Sequence, residues 1–435
     1  MITKTIKQIW NQRRMNGWIF LEVIIAGFFL WTVIDPVYVL TVNYLEDKGY
    51  EEEGRYVLHL GSYGQNHGKR DTTITKEQRG EAFMRIAKLV KEQPEVDSYY
   101  ICLYQSLPNA GSWNGGQFFP DTASIAEEKY IHAQQFFFNP DPDSDMFRTL
   151  GMIDANTGKE MHRTREKAEC YVSELFAQKM FGTTQVVGQK VYTSRNRSWT
   201  IMGVFQDVKT RDYHATYPLI IYGNETLGVN DWMHHNTQVI FRLKEGVNFD
   251  AFYERFKKEV APHMSQGNFY FKGIKPFSTL RIELGTMFGV YNTLRLKLGL
   301  AAFTLLCIFL GMVGTFWIRC NARRQEIGLM RSLGATEGRI KKQFLTEAGI
   351  LVTGAFVFSL ILVVNFVMMA DSMAQQNLAG EFQFALVSDW LSPGVQFTMV
   401  SLITYLALLV IALIGTLIPV RRAVKVLPAD ALRDE

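Results

Sequence analysis

The sequence predicts a membrane protein with four transmembrane α-helices and a large α+β extracytoplasmic domain inserted between helices 1 and 2. Three observations lead there: four apolar blocks long enough to span a bilayer, basic residues gathered on one side of them, and about 250 residues of mixed, charge-balanced sequence between the first block and the second.

A helix rises about 1.5 Å per residue, so crossing a hydrocarbon core of roughly 30 Å takes about 20 apolar residues. Blocks 298–318, 349–370 and 397–420 carry no Asp, Glu, Lys or Arg, and Pro419 is expected to close the last of them. Soluble cores seldom bury uncharged runs of this length. Block 18–40 is less pure, with Glu22 near its start and Asp35-Pro36 near its end, where that pair is expected to terminate the helix. Lys4, Lys7, Arg13 and Arg14 precede it as they would a secretory signal. No small-residue cleavage site follows in Thr32-Val33-Ile34-Asp35-Pro36-Val37, so the block reads as an uncleaved anchor. A mean hydropathy of −0.01 conceals these blocks because the charges lie elsewhere.

Orientation follows from Lys and Arg near the membrane ends. Residues 1–17 hold four bases and no acid, the connection Arg319–Glu347 holds seven, and Arg421, Arg422, Lys425 and Arg433 lie in the tail 421–435. Segment 371–396 has no base. Both termini and the 319–348 connection are therefore expected in the cytoplasm, with 41–297 and the 371–396 loop outside. Ile2, Ile6, Ile9 and Trp10 fall on one face of a short amphipathic helix over 1–17, suited to the interface.

In the outer segment, apolar periodicity predicts helices over Lys76–Gln93, Glu166–Phe181 and Phe249–Pro262. Strands are expected over Tyr99–Leu103, Val186–Thr193, Trp199–Phe205, Leu219–Tyr222 and Thr237–Leu243. Helices and strands without regular alternation indicate an α+β domain.

No catalytic constellation emerges. The sequence has no GxxxxGK[ST] loop, no HExxH and no GxSxG, and its paired histidines, His234-His235, point apart as neighbours do. Net charge is +4, from 46 bases against 42 acids, which gives no reason to expect nucleic acid. Four cysteines are too few for a disulfide framework or zinc cluster. Cys102 and Cys170 share an oxidising compartment in this topology, where a disulfide is permitted. Cys307 and Cys320 are expected to be packing residues. Glu22 lies about a turn inside the membrane; it either reaches the interface or a base, or takes a conformational or proton-linked role.

The most informative stretch is Arg323-Arg324-Gln325-Glu326-Ile327-Gly328-Leu329-Met330-Arg331-Ser332-Leu333-Gly334-Ala335-Thr336. Ile327, Met330 and Leu333 recur every three residues, which predicts a short helix with one apolar face, and Arg324, Glu326 and Arg331 lie away from it. Gly334 permits a left-handed turn, and Thr336 can cap the next helix. Such a helix can dock into a partner's groove.

That order of residues, followed by Glu347 and an apolar span, closely resembles the FtsX/MacB family of ABC-transporter permeases. The tail from Pro419 to Arg433 resembles the family's ending. Tyr171–Gly182, Val187–Val191, Ile201–Asp207 and Phe241–Val247 are similar to its MacB-like periplasmic core domain. The polar Glu22 and the Trp-containing first span are less generic. The resemblance implies a permease subunit in the bacterial inner membrane. Its 324–336 helix would be the coupling helix, with Arg324, Glu326, Ile327, Met330, Arg331, Leu333 and Gly334 at the contact with a cytoplasmic ABC ATPase. Glu22 and Asp35 would be intramembrane polar residues. ATP and Mg would bind to that ATPase, expected as a separate protein, and this chain would hold no cofactor or metal and be no enzyme alone. Its partners would be the ATPase, a second permease subunit (identical or related) and the lipid bilayer. A periplasmic adaptor and an outer-membrane channel would follow only in a cell with two membranes. The implied mechanism is mechanotransmission: closure of the ATPases moves the spans and reshapes the outer domain to drive efflux. Alternatives are an FtsX-like regulatory scaffold acting on a cell-envelope hydrolase or in signalling, a lipoprotein-sorting permease, and a four-span sensor with no ATPase.

Overall fold

The computed structural model describes residues 13–102, 106–111, 114–139, 141–166, 168–223, 237–377 and 393–425. They divide into two compact units, Asn43–Phe288 and a helical unit formed by Met1–Val42 with Gly289–Glu435. The expected interfacial helix over 1–17, the His234-His235 pair and the tail beyond Lys425 lie wholly or mostly outside the described residues.

Helix α1 spans Arg13–Leu45 and passes through Pro36 unbroken, which overturns the expectation that Asp35-Pro36 ends it. Proline removes a single backbone hydrogen bond, and the packed surroundings of a membrane helix tolerate that loss. Asp35 is held on the helix: its Oδ1 accepts a 2.7 Å hydrogen bond from Gln396 Nε2.

The inserted unit carries β1 (Arg55–Ser62), α2 (Lys76–Lys91), β2 (Val96–Cys102), β3 (Gly115–Phe118), α3 (Thr122–Ala126), β4 (Ile131–Phe138), α4 (Met146–Leu150), β5 (Glu169–Ser173) and α5 (Glu174–Phe181). There follow β6 (Lys190–Ser194), β7 (Arg197–Phe205), β8 (Leu219–Gly223), β9 (Gln238–Leu243), α6 (Phe249–Glu259), β10 (Phe269–Pro276) and α7 (Thr279–Met287). One sheet is antiparallel, in the order β10-β1-β9-β2. The other is mixed, in the order β3-β4-β8-β5-β7-β6, with β4/β8 and β5/β7 parallel.

Helix α2 follows its predicted stripe: Ala82, Phe83, Ile86, Ala87 and Val90 are buried. Thr75 and Gln78 close a capping box at its start. The predicted helix Glu166–Phe181 is instead a strand followed by a helix. Glu169–Ser173 pairs with β7 and β8, and Ser173 Oγ then accepts from Phe176 N to start α5. The strand predicted from Val186 begins only at Lys190, because Gly188 turns the chain at φ +88°. Helix α6 stops at Glu259, before a 3₁₀ turn over Ala261–Met264. Cys102 and Cys170 are buried free thiols, so the disulfide that the topology permits is not formed.

His214 stacks edge-on against Tyr213 with ring centroids 4.5 Å apart. Burial, then the charges of Arg211 and Lys209, push its imidazole down to about 4. The unfolded chain protonates near the ordinary 6.5, so this group's contribution is whole above that pH and is lost as pH falls towards 4. Asp207, pushed up to about 6 by burial, acts in the opposite sense. The expected result is therefore a difference: between pH 6.5 and pH 4, His214→Gln should lose less melting temperature than the wild type.

The helical unit continues with α8 (Val290–Ala322), α9 (Arg324–Ser332), α10 (Glu337–Asn377) and α11 (Pro393–Val424). Among the described residues four helices are long and apolar enough to cross a membrane: Gly17–Leu45, Val290–Ala322, Glu337–Met369 and Gly394–Val424. Helix α11 runs through Pro419, which was expected to close it.

Small residues let these helices meet closely. At Gly27 of α1 an added Cβ would lie 2.5 Å from Ser359 Oγ of α10, which donates to Ile24 O at 2.8 Å. At Gly415 of α11 a Cβ would lie 3.0 Å from the Cβ of Met312 in α8. Trp31 Nε1 donates to Ser401 Oγ at 3.1 Å. Phe303, Leu306, Leu310, Ile361, Leu402 and Ile414 are exposed on the bundle, as lipid contact requires.

Candidate functional site

Helix α9 is short because its ends are set by two different devices. At its start Arg323, with φ −109° and ψ 19°, leaves helical geometry after α8 and turns the chain. At its end Gly334 takes φ +86°. Gly334 N donates to Arg331 O at 3.0 Å and Ala335 N to Met330 O at 2.9 Å, the two hydrogen bonds of a Schellman stop. Thr336 then precedes α10, and Arg339 N donates to its Oγ1 at 3.4 Å.

Beneath α9 lies a buried charge cluster. Arg319 and Glu347 are 0% exposed and Arg323 is 5% exposed. Glu347 of α10 accepts from Arg319 Nη2 of α8 at 3.3 Å. It also accepts on both oxygens from Arg323 Nη1, each at 3.1 Å. The opposite edge of the Arg323 guanidinium grips Glu326 of α9, with Nε to Oε2 at 2.7 Å and Nη2 to Oε1 at 3.0 Å. That bidentate bond holds the Glu326 carboxyl below its ordinary range. The contact is accordingly complete at neutral pH and weakens only as pH falls below the ordinary glutamate value. Aromatic rings cover the arginines: Arg319 lies 5.0 Å from the Phe316 centroid and Arg323 4.8 Å from that of Phe344. At the far end of α9, Arg331 Nη1 donates to Val424 O at 2.6 Å, in the last residue of α11.

Two carboxylates, Glu326 and Glu347, and three arginines thus join α9 to α8, α10 and α11. Buried charges are costly to leave unpaired, so the cluster holds its members in one arrangement.

The predicted apolar face divides in two. Ile327 is 3% exposed and packs in the bundle core, with Met330 beside it. Leu333 is 79% exposed. A step of three residues falls about 60° short of a full helical turn, so the row Ile327, Met330, Leu333 winds from the core into water. Leu329, absent from the predicted contact, is 53% exposed. With Gln325, Glu326 and Ser332 it shares the outward face at spacings of three and four. Arg324 turns to a cleft of about 260 Å³ that it lines with Trp317, Asn321 and Arg422.

Glu22 and Asp35 stand apart from this cluster, on α1. Glu22 lies against Gly311 of α8, where no side chain would fit, and among the described side chains it pairs with no base. Sequence reasoning missed the cluster, although Glu347 belongs to the quoted motif. Arg319 and Arg323 counted only as basic residues at a membrane edge, while their spacing of four places them on one helix face.

Residues 298–428 match the model of the FtsX-like permease C-terminal family. The chain is 22% identical over 309 residues to an uncharacterized ABC transporter permease of Methanocaldococcus jannaschii, covering 71% of this chain and 72% of that protein. It is 29% identical over 341 residues to the macrolide export ATP-binding/permease protein MacB of Chromobacterium violaceum, covering 73% of this chain and 46% of that protein. A stretch of 104 residues is 36% identical to the pyoverdine export ATP-binding/permease protein PvdT of Pseudomonas aeruginosa, covering 22% of this chain and 16% of that protein. Among solved structures, the periplasmic region of MacB from Actinobacillus actinomycetemcomitans aligns over 55% of this chain and 97% of its own, at 11% identity and a TM-score of 0.32.

Proposed function

We propose that this chain, an ABC-transporter permease of the FtsX/MacB type with its FtsX-like domain at residues 298–428, couples ATP hydrolysis by a separate cytoplasmic ATPase to movement of its membrane helices. The observation that carries the reading is the double character of α9. One side is locked to α8, α10 and α11 through Arg319, Arg323, Glu347 and Arg331. The other leaves Leu329 and Leu333 exposed. A coupling element needs both, a grip on the helices it moves and an apolar face for the motor that moves it.

On this reading α9 and both termini lie in the cytoplasm and the Asn43–Phe288 unit lies outside the inner membrane. Two permease subunits stand over two ATPase subunits, which bind ATP and Mg. The stroke reshapes the outer unit and drives export by mechanotransmission. The likeness to a macrolide exporter and a pyoverdine exporter supports efflux as the outcome.

Purification of the tagged chain in mild detergent, with mass spectrometry of what accompanies it, tests this assignment. A stoichiometric ABC ATPase is expected. Leu329→Asp with Leu333→Asp should weaken its retention by about 100-fold, since a charge forced into a desolvated contact costs several kcal/mol. The α9 core contacts through Ile327 should survive, so the variant should still fold. Full retention of the ATPase by the double variant would remove this face from the interface.

A further inference from the structure

The inserted unit holds a cavity of about 420 Å³ at one end of its antiparallel sheet, within the size range of small-molecule sites. Its apolar surface comes from Leu60, Phe83 and Phe269, and Arg70 and Arg79 also line it. Arg79 lies 4.9 Å from the Phe269 ring centroid, and its Nη2 donates to Ser62 Oγ at 2.8 Å. Its Nε is buried and has no hydrogen-bond partner. Arg70 Nη1 donates to the Tyr63 carbonyl at 3.1 Å. Neither arginine has a carboxylate partner among the described residues, and no acidic residue lines the cavity. Burial, then the charge of Arg70, draws the Arg79 guanidinium below its ordinary range.

Elsewhere in the same unit Arg55, Arg163, Arg242 and Arg255, all at least half-buried, each meet a carboxylate. Two guanidiniums facing one cavity repel each other, and a buried donor left unsatisfied is costly. An anion in the cavity relieves both, because a guanidinium presents parallel donors to a phosphate or carboxylate. The aromatic floor beside them fits a flat apolar body.

We propose that this cavity binds a small amphipathic anion, a phosphate or carboxylate joined to an apolar group, with Arg79 and Arg70 holding the charge and Phe269 and Phe83 the body. The proposal concerns binding by this unit alone and stands whether or not α9 contacts an ATPase.

The test is calorimetric titration of the full chain in lipid nanodiscs with phenyl phosphate, 3-phenylpropionate, inorganic phosphate and benzyl alcohol. At least one of the two aromatic anions should bind about tenfold or more tighter than both phosphate and benzyl alcohol, as charge and ring act together. Arg79→Gln should weaken that binding by about 10- to 100-fold, the worth of a hydrogen bond between charged groups. Arg70→Gln, which gives up one partly buried hydrogen bond to the Tyr63 carbonyl, should weaken it in the same direction at little cost in melting temperature. Wild-type affinity in Arg70→Gln and in a folded Arg79→Gln would overturn the proposal. So would failure of both aromatic anions to bind the wild type, or equal binding of inorganic phosphate.

Discussion

Glu347→Ala should destabilise the helical unit by about 3–5 kcal/mol, because it removes the carboxylate that Arg319 and Arg323 share in a place water does not reach. Arg319 and Glu347 are fully buried, so solvent cannot take over the lost pairing. Thermal aggregation of the purified chain in detergent reads this loss. The corresponding apolar set, Arg319→Met with Arg323→Met and Glu347→Leu, separates stability from function. Replacing a whole buried ion cluster by well-packed apolar groups is often neutral. Aggregation temperature should return towards wild type, while ATPase stimulation by the permease should stay low, since Arg323 no longer grips Glu326. Full stimulation in the triple variant would reduce the cluster to a packing element.

Gly334→Val should uncouple ATPase activity from the permease while leaving the spans intact. Gly334 sits at φ +86° and a Cβ there meets nothing within 4 Å, so the penalty is backbone strain alone. The left-handed region costs an ordinary residue about 1–2 kcal/mol, and a β-branched one is worse placed still. The strain falls on the hydrogen bonds from Gly334 N and Ala335 N that stop α9. Loosening them frees Leu333 and slackens the join to α10. Basal ATP hydrolysis in the reconstituted complex should persist and its dependence on the permease should fall several-fold. Gly334→Asn is the control, because asparagine tolerates this conformation and should retain most of the coupling. Equal coupling in the valine and asparagine variants would show that the turn is not part of the transmission.

What was legible in the sequence follows the physics of each part. Spans of uncharged residues announce themselves, because the bilayer demands about 20 apolar residues in a row. Their ends were less legible. Pro36 and Pro419 look like stops, yet both lie inside helices whose neighbours absorb the missing hydrogen bond. In the inserted unit, Lys76–Lys91 was clear from its stripe, while Arg55–Ser62 and Ile131–Phe138 were not. Those strands owe their place to partners β10 and β8, which come more than 80 residues later, so the pairing leaves no mark in the neighbouring sequence.

The short α9 was visible from its bounding Gly334, but its faces were not. A row at spacing three cannot say which member faces the core until the helix is docked. Ile327 went inward and Leu333 outward. The pairing of Glu347 with Arg319 and Arg323 joins residues 28 and 24 apart and needs the hairpin of α8 and α10 before it exists.

The most direct test of coupling is site-specific photo-crosslinking from α9 in native membranes. A benzophenone amino acid placed at Leu333, and in a second variant at Leu329, should crosslink to an ABC ATPase. The same probe at exposed Leu306 of α8 should not. Crosslinks from Leu333 and Leu329 to lipid alone, under conditions that hold the complex together, would contradict the assignment of α9 as the element that meets the motor.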